Sequence, residues 1–223
     1  MLRKNKRIND VCIVFLIIIL VTTLCGCARQ KTLCKDASKY PAILTEYPNL
    51  HTGYIVFPEA IPDSIVNNVE FYYYVSNDFL DPTAEIVLRC NYSDVDFSSE
   101  LDRLESLVKT SPTGDKPILK DDGTRFSVPA YIAEYAENFS YEYAVVTGQR
   151  EITYVYLSFR YPDEIEAVPV TGVPLDYESY HSRDGVRKIE PKSSYNIYEF
   201  LSVDKDGHSI RCISYTDDDW PVN

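Results

Sequence analysis

The side chains best suited to chemistry near neutral pH are few and scattered. Histidine occurs only at His51, His181 and His208. No two are three or four residues apart, the spacing that sets two imidazoles on one helix face around a metal ion. His181-Ser182-Arg183-Asp184 contains the residue types of a hydrolytic triad. Adjacent positions on one loop do not build a nucleophile–base–orienter relay, and the chain has no Gly-x-Ser-x-Gly elbow. Asp204-Lys-Asp-Gly207 and Asp217-Asp218-Asp219 are rich in oxygen donors. Both lack the longer alternating ligand set and distal Glu of a calcium loop, and the first reads as a turn. No catalytic residue, metal ligand or cofactor is assigned on these grounds.

Tyrosine is the one compositional excess, with 19 in 223 residues. If Gly148-Gln149 forms a two-residue hairpin turn, Tyr143 lies opposite Tyr154 and Tyr141 opposite Tyr156. All four then share a face with Val145 and Ile152, while Ala144, Val146, Val155, Leu157 and Phe159 turn toward the helix. An exposed row of four tyrosines could stack on sugars or anchor a protein partner. The same residue type also suits an ordinary half-covered sheet.

The start of the chain carries a different signal. Arg3, Lys4, Lys6 and Arg7 precede an apolar run from Val11 to Leu24, and Leu24-Cys25-Gly26-Cys27 follows. A basic flank, a short apolar core and a small residue before a cut define a secretory signal. The run is shorter than the roughly 20 residues of a spanning helix. Leu24-Cys25-Gly26-Cys27 resembles the lipobox of bacterial lipoproteins, over the first 27 residues only. That resemblance implies diacylglycerol transfer to the Cys27 thiol, cleavage after Gly26, acylation of the new amino terminus and a place on the outer side of the cell membrane. It leaves 197 residues of mature chain. Asn91-Tyr-Ser93 and Asn138-Phe-Ser140 match the glycosylation sequon, which a bacterial leader argues against using.

Of six cysteines, Cys12 and Cys25 leave with this leader. Cys34, Cys90 and Cys212 remain beyond Cys27, so Cys90 and Cys212 are a candidate disulfide in an exported chain, with buried free thiols as the alternative. Charge is polarised. Residues 1–39 hold eight of the 22 basic side chains and two of the 34 acidic ones, so the chain from Tyr40 onward carries 14 against 32, net −18. A body of that sign has no basic footprint for nucleic acid. It is also repelled by anionic lipid, whereas the basic stretch beside Cys27 is attracted to it.

The elements that would position any site follow from periodicity. Residues 28–50 are polar and aperiodic with Pro41 and Pro48, and read as a flexible tether from the lipidated Cys27. The domain is then 51–223. Strands are expected at Tyr54–Phe57, Val69–Ser76, Glu85–Asn91, Ala130–Tyr135, Phe139–Val146 and Glu151–Phe159. Hairpins are expected around Asp121-Asp122-Gly123 and around Asp204–Gly207. One helix, about 94–109, starts at an N-cap Ser93 with Asp96 three residues on. It carries an apolar stripe of Phe97, Leu101, Leu104 and Val108, with Glu100, Asp102, Arg103 and Glu105 on the outer side. The segment 161–192 has four prolines and little pattern, as binding loops often do. The predicted fold is α+β: a largely antiparallel β-sheet built from hairpins, with one main amphipathic helix packed on one face. The predicted function is a membrane-anchored bacterial surface lipoprotein with a non-catalytic binding or accessory body. The alternatives are an envelope hydrolase using scattered carboxylates, and an inhibitor or immunity-type protein acting on a secreted enzyme.

Overall fold

The computed structural model describes residues 30–46, 55–65, 68–77, 83–109, 118–137, 140–158, 165–180, 195–196, 199–203 and 209–213. Its centre is an antiparallel sheet of β1 (Gln30–Cys34), β2 (Val69–Asn77), β3 (Thr83–Asn91), β4 (Leu119–Asp121), β5 (Ala130–Glu137), β6 (Ser140–Val146) and β7 (Glu151–Ser158). The strand order is β1-β2-β3-β7-β6-β5-β4. β8 (Tyr195–Asn196) adds to β5, and β9 (Glu199–Val203) with β10 (Ser209–Ile213) forms the predicted last hairpin. Two α-helices precede the sheet's second half, α1 (Tyr40–Glu46) and α2 (Asp94–Lys109). The fold is α+β, with strands dominant.

The helix begins where its residues require. Ser93 Oγ accepts the backbone N–H of Asp96 at 3.2 Å and donates to Asp96 Oδ2 at 2.7 Å, so two groups at the helix start satisfy each other. Ser64 Oγ adds a second donor to that carboxylate at 2.7 Å. Leu104 of the apolar stripe is fully buried, and Phe97, Leu101 and Val108 are half-buried against the core. Replacing Ser93 with Ala should lower stability by about 1 kcal/mol. Equilibrium denaturation measures this, and an unchanged midpoint would deny the cap its role.

Within the expected tether of residues 28–50, residues 30–46 are structured. β1 pairs along its whole length with β2, from Gln30 with Asn77 to Cys34 with Tyr73. Tyr40 is fully buried, packs edge-on against Phe71 at 5.6 Å between ring centroids, and donates to the Pro58 carbonyl at 2.5 Å. An edge strand is held by main-chain bonds to one neighbour, so its polar composition is no obstacle. Folded structure is therefore present from Gln30, ahead of residue 51.

Two further local expectations change. Residues 55–57 form bends, with Val56 and Phe57 buried. Side chains replace a partner strand there: Val56 donates its N–H to Glu142 Oε1 at 2.8 Å, and its carbonyl accepts from Arg103 Nη2 at 2.6 Å. The tight hairpin at Asp121-Asp122-Gly123 is absent, because β4 pairs with the start of β5, Leu119 with Ile132. The buried Asp121 carboxylate instead accepts the N–H groups of Gly123, Thr124, Arg125 and Phe126, at 3.0–3.3 Å. Gly123 sits at φ +100°, which an L side chain rarely adopts.

Candidate functional site

Pairing between β6 and β7 decides what the tyrosines do. The observed register sets Tyr143 against Val155, Ala144 against Tyr154 and Tyr141 against Leu157. The strands end at Val146 and resume at Glu151, so four residues connect them in place of the compact turn. That is a slip of one position from the expected pairing, and a slip of one sends alternate residues to the other face. Tyr141 and Tyr143 consequently lie on one side of the sheet, and Tyr154 and Tyr156 on the other. None is more than 1 % exposed. The four are core, and the expected aromatic binding face does not exist.

Tyr154 lies under α2. Its hydroxyl donates to Glu100 Oε1 at 2.6 Å and meets the Tyr92 hydroxyl at 2.8 Å. Arg103 holds the same carboxylate through Nε and Nη2 at 2.6–3.0 Å. Glu100 and Arg103 thus face inward, not outward as the stripe alone implies. Tyr141 and Tyr143 lie beneath a strap formed by residues 165–180. Tyr141 contacts the Tyr177 ring, with centroids 5.3 Å apart, and Tyr143 contacts Phe126 at 4.6 Å. The strap is pinned by Glu85, whose buried carboxylate accepts the N–H groups of Glu166, Ala167 and Val168 at 2.7–3.2 Å. Tyr135 donates to Asp176. Part of the weakly patterned 161–192 segment is therefore a cover for the sheet.

Among the described residues a cleft opens on the strap side. It has a volume of about 400 Å³ and is lined by Lys35, Glu70, Tyr72, Val87, Arg89 and Ala167, with Val69 and Phe71, within the range of small-ligand sites. Strand alternation places Glu70, Tyr72, Val87 and Arg89 on this side, since Glu70 pairs with Arg89 and Tyr72 with Val87. Lys35, just past β1, lies with Nζ 5.0 Å from the Tyr72 ring centroid, a cation–π contact. Arg89 bonds Glu70 Oε2 through Nη1 at 2.9 Å and approaches Glu151 through Nε at 3.9 Å. Tyr72 donates to Glu166 Oε2 at 3.0 Å. The cleft presents the Lys35 cation, the Arg89–Glu70 ion pair, an aromatic wall and an apolar floor. This arrangement can hold a small zwitterionic group. Among the described residues its lining includes no thiol and no imidazole, and its one hydroxyl, that of Tyr72, is held by Glu166.

The remaining sequence-derived candidates fall elsewhere. Cys90 is a buried free thiol whose pKa burial pushes up to about 12. It sits between Val69 and Ile152 in the interior of the sheet, and the side chain of its candidate partner Cys212, in β10, lies outside the described residues. Gly26, Cys27, His51, His181 to Asp184, His208, Asp204 to Gly207 and Asp217 to Asp219 also lie outside the described residues. Among those described, no three metal-ligating side chains converge, and no helix is long and apolar enough to cross a membrane. The cleft is not among the sequence-derived candidates. Its only sequence signal is the alternation of Glu70 with Tyr72 and of Val87 with Arg89, which marks a shared face and not an opening. Comparison with protein-family models, with curated proteins and with solved structures returned no match.

Proposed function

We propose that this chain is a lipid-anchored protein of a bacterial cell envelope whose body is a non-catalytic binding module. The observation that carries the anchoring is the leader: four basic residues, an apolar run, then Leu24-Cys25-Gly26-Cys27. The thiol supplies the acceptor for a diacylglyceryl group, and Gly26 leaves the backbone before it open to a peptidase. A binding role is supported by the open cleft, where Lys35 over the Tyr72 ring and Arg89 beside Glu70 line one concave surface.

Mass spectrometry of the mature amino terminus tests the anchoring. The first residue should be Cys27 carrying acyl mass, and Cys27→Ser should keep its leader and take up no labelled fatty acid. A mature chain starting elsewhere, or equal labelling of the variant, would sink the reading. A second reading, an inhibitor of a secreted basic enzyme, draws on the net charge of −18 from Tyr40 onward, which suits a basic partner surface.

A further inference from the structure

The sheet begins almost at the anchor. Only Ala28 and Arg29 separate Cys27 from Gln30, the first residue of β1. Three residue steps span about 10 Å at full extension. A headgroup layer is itself about 6 Å deep on each side of the hydrocarbon. Resting on the lipidation of Cys27 proposed above, the edge of the sheet at β1 is therefore tied within reach of the lipid surface.

β1 has the chemistry to meet that surface. Its pairing with β2 puts Lys31 opposite Ser76 and Leu33 opposite Tyr74, so Lys31 and Leu33 share one face, and Lys35 continues the row. Lys31, Leu33 and Lys35 are all exposed, Leu33 at 59 %. Tyr74 lies half-buried beside Leu33. Lys39 follows at the end of a short 3-10 turn. The one acid within residues 30–39, Asp36, is turned onto Ser38, accepting its N–H at 3.0 Å and its hydroxyl at 2.7 Å. Lysines alternating with an exposed leucine, next to a tyrosine, are the residue types that favour a headgroup boundary. The charge of the rest of the body has the opposite sign.

We infer that the Lys31–Leu33–Lys35 row of β1, with Tyr74 and Lys39, is a docking surface for an anionic lipid bilayer, on which the domain lies flush instead of swinging on a tether. The cleft next to Lys35, with the Glu70–Arg89 pair on its wall, then opens beside the headgroups.

The test uses the acylated full chain on vesicles. In a Trp220→Phe background, which removes the only tryptophan, Leu33→Trp is compared with Val95→Trp, whose site is 75 % exposed on α2. Brominated phosphatidylglycerol vesicles should quench the indole of the Leu33→Trp variant strongly and that of the Val95→Trp variant little, and equally brominated phosphatidylcholine vesicles should quench neither. Changing Lys31, Lys35 and Lys39 together to Gln should shift the docked-to-free ratio by on the order of 100-fold and abolish the difference, with the protein still vesicle-bound. Reagent acylation of lysines on the unsubstituted chain is an independent readout: Lys31, Lys35 and Lys39 should be protected on phosphatidylglycerol relative to phosphatidylcholine. Equal quenching at both sites, or equal labelling on both lipids, with Cys27 acylated, overturns the docking surface and leaves the anchor standing. A mature terminus without acylated Cys27 removes the anchor and the docking surface with it.

Discussion

Glu142→Gln should flatten the pH dependence of stability and make the protein more stable than wild type in mildly alkaline buffer. Glu142 is fully buried on β6, and burial pushes its pKa up to about 8 from an ordinary 4.5, against the opposing pull of the Val56 and Ile55 N–H groups and of Arg103. Its folded pKa thus lies above its unfolded one, and folding takes up a proton between the two values. The contribution to stability is fully present below about pH 4.5 and is lost as pH rises through about 8. At 1.36 kcal/mol per pKa unit, the swing is on the order of 3–5 kcal/mol. The amide keeps a carbonyl oxygen for the Val56 N–H and carries no charge to desolvate. Glu85, also raised by burial despite three backbone donors, has the same sign and leaves a residual slope in the variant. Urea denaturation at pH 5, 7 and 9 measures both slopes; parallel curves for the two proteins would show that Glu142 does not control the trend.

Tyr154→Ala should lower stability by roughly 3–5 kcal/mol, the usual loss for truncating a buried aromatic ring. The ring contacts Phe57 at 5.8 Å, and its hydroxyl links Tyr92 to Glu100. Removal leaves a void under α2 and takes a donor from the carboxylate that also holds Arg103. Tyr143→Phe provides the contrast. The Tyr143 hydroxyl is buried with no hydrogen-bond partner, so deleting it should leave stability unchanged or raise it by up to about 1 kcal/mol. Tyr154→Phe keeps the ring but loses the bond to Glu100, and should fall between the two. If Tyr154→Ala unfolds at the wild-type midpoint, the residue is not core.

The site was less legible than the fold. Strands at 69–77, 83–91, 130–137, 140–146 and 151–158 follow from β-branched and aromatic density, because pleated surfaces select those residues wherever they sit. The cleft depends on distant pieces meeting: Lys35 from beyond β1, Tyr72 and Arg89 from neighbouring strands, and Ala167 from the strap. No local pattern encodes that meeting. Arg103 and Glu100 depart from the expected outer side for a related reason. A charged side chain on a helix reads as outward until a partner such as the Val56 carbonyl or the Tyr154 phenol closes over it.

What the sequence determined by itself is local or global in kind. The Ser93 cap and its stripe specify α2 over 94–109, as a helix start needs only a few residues in order. The last hairpin follows from turn residues between two apolar runs. The separation of charge between residues 1–39 and the rest is a property of composition and survives any fold. The tertiary structure alone decided the β6–β7 register, which turned an expected tyrosine surface into two halves of a core. A one-residue shift leaves composition and alternation unchanged while exchanging the two faces, so only the covers on each side, α2 and the strap, select between them. It also decided that Gln30–Cys34 is a strand. A polar edge strand owes its order to the backbone of β2, a partner some forty residues away in the chain.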